Sequence, residues 1–103
     1  MTTTVLIVDD HETFRSFARA LLESEGFEVI GEAEDGLSGV QAVRSLGPDL
    51  VVLDVQLPDL SGFEVLQRLR AEGVPTPVVL TSSRDAASYG RPGRLFWSRR
   101  VHS

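Results

Sequence analysis

Two short apolar runs stand out from an otherwise mixed pattern: Val5-Leu6-Ile7-Val8 and Leu50-Val51-Val52-Leu53. Neither alternates polar with apolar. A continuous, β-branched run of this length is how a parallel strand covered on both faces reads. Between the runs the period lengthens to that of a helix. Phe14, Phe17, Ala18, Leu21 and Leu22 recur at i, i+3, i+4, i+7 and i+8, predicting a helix over residues 11–25 with this stripe inward. Gly26 stops it. Residues 27–33 form a second strand. Glu28 and Gly31 interrupt it, which suits a sheet edge. Leu37, Val40, Val43 and Leu46 predict an inward helical face over 36–46, ended by Gly47-Pro48. After the third strand at 50–53, Leu57-Pro58-Asp59 is a turn. Ser61-Gly62-Phe63-Glu64 then opens a helix over 61–72 with a capping box. A fourth strand follows at 77–80. Ser82 to Asp85 could cap a fourth helix, cut short by Gly90 and Pro92. This β-α alternation predicts an α/β fold with one parallel sheet and helices on both faces.

Both leading runs end on acids. Asp9 and Asp10 close the first and Asp54 closes the second. If the two strands are neighbours, three carboxylates meet at the carboxyl edge of the sheet, where open α/β folds bind ligands. Crowded acids resist ionising unless a positive charge sits among them. A hard divalent cation with oxygen ligands, Mg²⁺ above all, answers that need. The simpler reading makes Asp10 a helix cap, Asp9 a loop acid and Asp54 a turn residue. His11 reads as a solvated first-turn residue, and Asp59 and Ser61 as turn and cap.

Composition narrows the class. At 103 residues and 42% apolar, the chain suits one small domain with a real core. Without cysteine it has neither disulfides nor thiolate metal sites. No signal segment precedes the first strand, and no apolar run nears the roughly 20 residues that span a bilayer. A cytoplasmic protein without a membrane partner is the expectation. All 15 acids lie in residues 1–90 with six of the ten arginines, a net charge of −9; residues 91–103 hold the other four and no acid, a net +4. The body is therefore a poor ligand for nucleic acid. There is no lysine.

Val8-Asp9-Asp10-His11, then Asp54-Val55-Gln56-Leu57-Pro58 with Ser61-Gly62, then Leu80-Thr81-Ser82, in this order and spacing, resemble the CheY-like receiver domain of two-component response regulators. The resemblance covers residues 4 to about 89. The opening Asp-Asp-His looks most like the NarL/FixJ subgroup. It implies a flavodoxin-like doubly wound parallel sheet in strand order 2-1-3-4-5 and a signalling module rather than an enzyme. It also implies Asp54 as phosphoacceptor for a sensor histidine kinase. Mg²⁺ would be held by Asp10 directly, by Asp9 mainly through water, and by Asp54 and the Gln56 backbone carbonyl. Thr81 would hydrogen-bond the phosphoryl group and start the conformational switch. Relatives usually carry a separate helix-turn-helix domain, so direct DNA binding is not expected of these residues.

The chain also departs from the family pattern. The family's lysine at the end of strand five has no counterpart; its position falls near Ser103. The fourth helix is short, and the fifth strand and fifth helix are missing or degenerate. The expected organisation is an incomplete receiver at 1–90 and a non-matching basic tail at 91–103, as in a truncated product. Leu95-Phe96-Trp97 is either a short strand or part of a loosely docked tail. Without a fifth strand, Val78-Val79-Leu80 would be an open apolar edge inviting a homodimer. A non-phosphorylatable docking module or a non-functional receiver fragment is the alternative function. Two enzyme or cofactor classes fit less well. A haloacid-dehalogenase-type phosphatase expects a second aspartate where Gln56 stands. A dinucleotide-binding domain needs a glycine-rich turn where Asp9-Asp10 would repel a pyrophosphate.

Overall fold

A computed structural model describes residues 2–82 and, as backbone, 95–97. Within it, β1 (Thr4–Val8), α1 (Glu12–Ser24), β2 (Glu28–Ala33), α2 (Gly36–Leu46), β3 (Leu50–Asp54), α3 (Gly62–Ala71) and β4 (Val78–Thr81) follow in the expected alternation. β1 pairs parallel with both β2 and β3, and β3 with β4. The order is β2-β1-β3-β4, with β2 at the edge its interrupted pattern suggested. The register of β1 on β2 slips between Val5 and Leu6, so that Leu6 faces Gly31. A Cβ at Gly31 would lie 2.8 Å from Leu46 Cδ1, the far end of an exposed side chain that can turn aside.

The two apolar runs are buried from both sides. Leu6, Val8, Val51, Leu53, Val78 and Leu80 face one way, into a core closed by α2 and α3. Val5, Ile7 and Val52 face the other way, under Ala18 of α1. This two-faced burial removes the alternation that a half-exposed strand would show.

The helical stripes are only partly inward. In α1, Ala18 is buried and Phe14 and Leu22 pack on the core, but Phe17 and Leu21 are exposed. In α2, Val40 and Val43 are buried while Leu37 and Leu46 are exposed. Helical geometry gives the reason. At about 100° per residue, Leu37 and Leu46 lie roughly 180° apart around the axis. A series stepped by three drifts across the face, so only its middle can point inward.

Capping follows the sequence at α3, where Ser61 and Glu64 exchange the two bonds of a capping box. Asp35 and Ser38 make the same box at α2. At α1 the N-cap is His11, with no side-chain cap bond, so Asp10 does not cap the helix.

The parallel fifth strand of the family pattern is absent among the described residues. Instead β5 (Leu95–Trp97) runs antiparallel to β4, with Thr81 opposite Leu95 and Val79 opposite Trp97. The edge expected to stand open therefore carries a short paired strand. The short fourth helix, any fifth helix and the rest of the 91–103 tail lie outside the described residues.

Candidate functional site

β1 and β3 are neighbours in register, Val8 beside Leu53, so the residues that end them meet. Asp54 closes β3, Asp9 follows β1, and both are fully buried at 0% exposure. One ligand atom from each of Asp9, Asp10, His11 and Asp54 falls within 4.8 Å of the others. The strand that brings Thr81 up is β4, whose register sets Thr81 beside Asp54. Register partners on parallel strands project to the same face. The Val55 N–H donates to the Thr81 carbonyl at 2.9 Å, continuing the ladder past the strand ends.

The Asp9 backbone is fixed from both sides. Its N–H donates to Ala33 O at 2.9 Å, and Arg15 Nη1 donates to its carbonyl at 2.7 Å. Its Oδ1 accepts the His11 backbone N–H at 2.7 Å and lies 3.0 Å from His11 Nδ1. Asp10 Oδ1 lies 3.1 Å from the same ring nitrogen. His11 is thus not merely solvated: half-exposed, it leans over both acids. Gln56, exposed, donates its backbone N–H to Asp54 Oδ1 at 3.2 Å.

Two buried atoms at this edge lack a hydrogen-bond partner among the described residues: Asp9 Oδ2 and Thr81 Oγ1. A buried polar atom left without a partner costs about 1–3 kcal/mol, more when charged. Folding alone does not account for leaving both here. Carboxylate oxygens from three residues, one of them orphaned, fit a hard divalent cation. An unsatisfied hydroxyl beside them fits an anionic oxygen ligand.

Two supports of the site were not legible in the sequence. Asp59 looked like a turn acid. Its Oδ1 accepts Gly36 N–H at 2.7 Å and Leu60 N–H at 2.8 Å, and its Oδ2 accepts Leu37 N–H at 3.0 Å. It therefore ties the loop after Asp54 to the N-terminus of α2. Burial alone would raise the Asp59 pKa. The Gly36 and Leu37 N–H groups, helped by those of Asp59 and Leu60, more than cancel this and hold it below the ordinary value. Nothing within the loop announces a partner 23 residues away.

The second support is Gly62. Its N–H donates to Val55 O at 2.8 Å. A Cβ at Gly62 would run into the Asp54 carbonyl oxygen and lie 2.8 Å from Val55 Cα. Ser61-Gly62 was visible as a motif, but the close approach that requires glycine was not.

A doubly wound sheet with buried acids at its carboxyl edge defines a class of α/β ligand-binding domain. The family profile of the response regulator receiver domain matches residues 5–92. BvgA of Bordetella pertussis, a virulence-factor transcription regulator, is 43% identical over 99 residues, covering 96% of this chain and 44% of BvgA. The nitrate/nitrite response regulator NarP of Escherichia coli is 39% identical over 85 residues, 82% of this chain and 40% of NarP. Among solved structures, the response regulator domain of Thermotoga maritima CheB superposes with a TM-score of 0.75 at 32% identity, covering 81% of this chain and 62% of that one. The chain belongs to the response regulator receiver domain family. It spans less than half the length of the curated relatives it matches.

Proposed function

We propose that this receiver takes a phosphoryl group from a sensor histidine kinase onto Asp54. The observation that supports the reading most is the register that sets the orphaned Thr81 hydroxyl beside the Asp54 carboxylate. In the transfer, an Asp54 carboxylate oxygen bonds to phosphorus as the phosphorus–nitrogen bond of the phosphohistidine breaks. The product is an acyl phosphate and a free imidazole. Thr81 Oγ donates a hydrogen bond to a phosphoryl oxygen, an interaction no other described side chain already claims. The Val55 and Gln56 backbone, braced through Gly62 and Asp59, keeps the carboxylate oriented. Asp9, Asp10, Asp54 and the Gln56 carbonyl would hold Mg²⁺. That ion, when bound, neutralises the charge of nucleophile and phosphoryl group.

On this reading residues 1–90 are the receiver and 91–103 a separate basic segment. The protein works in the cytoplasm as an acceptor, not an enzyme. Among the described residues no helix is long and apolar enough to cross a membrane. A second reading is a docking module that engages a kinase without being phosphorylated.

Labelling by acetyl phosphate with Mg²⁺ separates the two. Incorporation that disappears in Asp54→Asn supports the acceptor. Labelling that persists in Asp54→Asn places the acceptor elsewhere, and no labelling of the wild-type chain leaves the docking reading.

A further inference from the structure

Arg15 and Arg19 are four residues apart, which puts both on one flank of α1. β2 brings Glu32 up against that flank, in register with Ile7 on the sheet face that α1 covers. The carboxylate is shared: Oε1 accepts Arg15 Nε and Oε2 accepts Arg19 Nε, each at 2.8 Å. The Arg15 side chain is 16% exposed and that of Glu32 28%, so water screens this pair only in part. Arg15 also reaches the acid pocket, where its Nη1 donates to the Asp9 backbone carbonyl at 2.7 Å. Yet Asp9 Oδ2, on the same residue and buried, accepts no hydrogen bond among the described residues. A guanidinium gains more from a carboxylate, which it meets with two parallel bonds and opposite charge, than from a carbonyl. Its nitrogens lie in one rigid plane, so fixing Nε on Glu32 also fixes the direction in which Nη1 points.

We propose that Glu32 is a positioning residue for the acid pocket: by holding Arg15 it keeps the guanidinium on the Asp9 carbonyl and off the Asp9 carboxylate, which stays open to a cation. The proposal rests on the reading of Asp9, Asp10 and Asp54 as cation ligands. Without Glu32 the guanidinium turns to Asp9 Oδ2, and a cation built into the chain then competes with Mg²⁺ for the same oxygen. Glu32 thus acts through Arg15 and touches neither the ion nor its ligands. Arg19 is the internal control. It shares Glu32, but its remaining bonds among the described residues go to Glu23 and the Val29 carbonyl.

The test is the Mg²⁺ affinity of the whole chain by isothermal titration, with urea unfolding of each variant alongside. Glu32→Gln should weaken Mg²⁺ binding by about fivefold or more in the wild-type background and by less than about twofold when Arg15→Gln is already present. Arg19→Gln should change the affinity by less than about twofold. Equal weakening by Glu32→Gln in both backgrounds overturns the proposal, because Glu32 then acts through its own charge and not through Arg15. A Glu32→Gln variant that loses stability but binds Mg²⁺ as the wild type does also overturns it, and leaves only a strap between α1 and β2. The cation reading fails separately: a wild-type chain that binds no Mg²⁺, or binds it equally well as Asp9→Asn, removes that reading and the proposal with it.

Discussion

Two groups of acids lie on either side of Arg15, and the protein treats them in opposite ways. On one side, Glu32 of β2 is held by Arg15 Nε and Arg19 Nε, each at 2.8 Å. On the other, Asp9 and Asp10 pair with no arginine among the described residues; only His11 approaches them. Arg15 is near enough to serve both. Its Nη1 donates to the Asp9 backbone carbonyl, while its Nε is committed to the Glu32 carboxylate. A guanidinium is therefore used to position Asp9 without neutralising it. Charge is cancelled where the fold needs a strap between α1 and β2, and left uncancelled where a ligand is expected.

The largest expected effect comes from breaking the backbone that carries the uncancelled group. Gly62→Ala forces a Cβ against the Asp54 carbonyl and Val55 Cα. It should cost about 1–3 kcal/mol in urea unfolding and lower acetyl phosphate labelling. Full labelling with unchanged stability would mean that the loop after Asp54 is looser than its packing implies.

Next in size, and opposite in sign, is Asp9→Asn. The amide oxygen still accepts the His11 N–H, but one buried charge is gone. Without metal this variant should be more stable by about 0.5–2 kcal/mol, the gain common where a strained site is relieved. The wild-type melting midpoint should rise with Mg²⁺ plus beryllofluoride, and that rise should vanish in the variant. A less stable Asp9→Asn would mean that the acids are already compensated.

Glu32→Gln tests the other side and should destabilise by about 0.5–1 kcal/mol, reduced further at high salt because the ion pair is partly exposed. Burial alone would raise the Glu32 pKa. Hydrogen bonds from Arg19 and then Arg15 overcome this and lower it. A carboxyl lowered in the folded state contributes stability above its unfolded pKa, and that stability is lost as pH falls through the folded one. Asp59 has the same sign. Unfolding free energy should thus fall as pH drops below about 4, less steeply in Glu32→Gln. An unchanged acid limb in the variant would show that Glu32 is not stabilised by its two arginines.

The smallest effect is expected at the exposed pair between Arg44, in the last turn of α2, and Glu72, the C-cap of α3. Arg44→Gln should leave the melting midpoint unchanged within error, because water screens both partners. A clear drop would make the pair a strut between the two helices.

The sequence exposed much of this because its strongest signals were local. Strands buried on both faces read as unbroken apolar runs, and their end points marked Asp9, Asp10 and Asp54. The capping box at Ser61 and Glu64 spans four residues and was visible in full. What it could not show depended on distant partners. Asp59 is a turn acid until the fold brings Gly36 and Leu37 to it. Phe17 and Leu21 look like core because periodicity gives the centre of a helical stripe but not the width that the sheet covers. The antiparallel pairing of Leu95–Trp97 with β4 has no periodic signature at all.

By itself, then, the chain determined the order of elements, the doubly wound class and the strand ends that carry the three acids. Each follows from strand burial and from where the apolar runs stop. The tertiary structure alone decided that Thr81 stands in register with Asp54, that His11 leans over Asp9 and Asp10, and that Gly62 must be glycine. Those are distances between separate segments, and they exist only once the sheet has assembled.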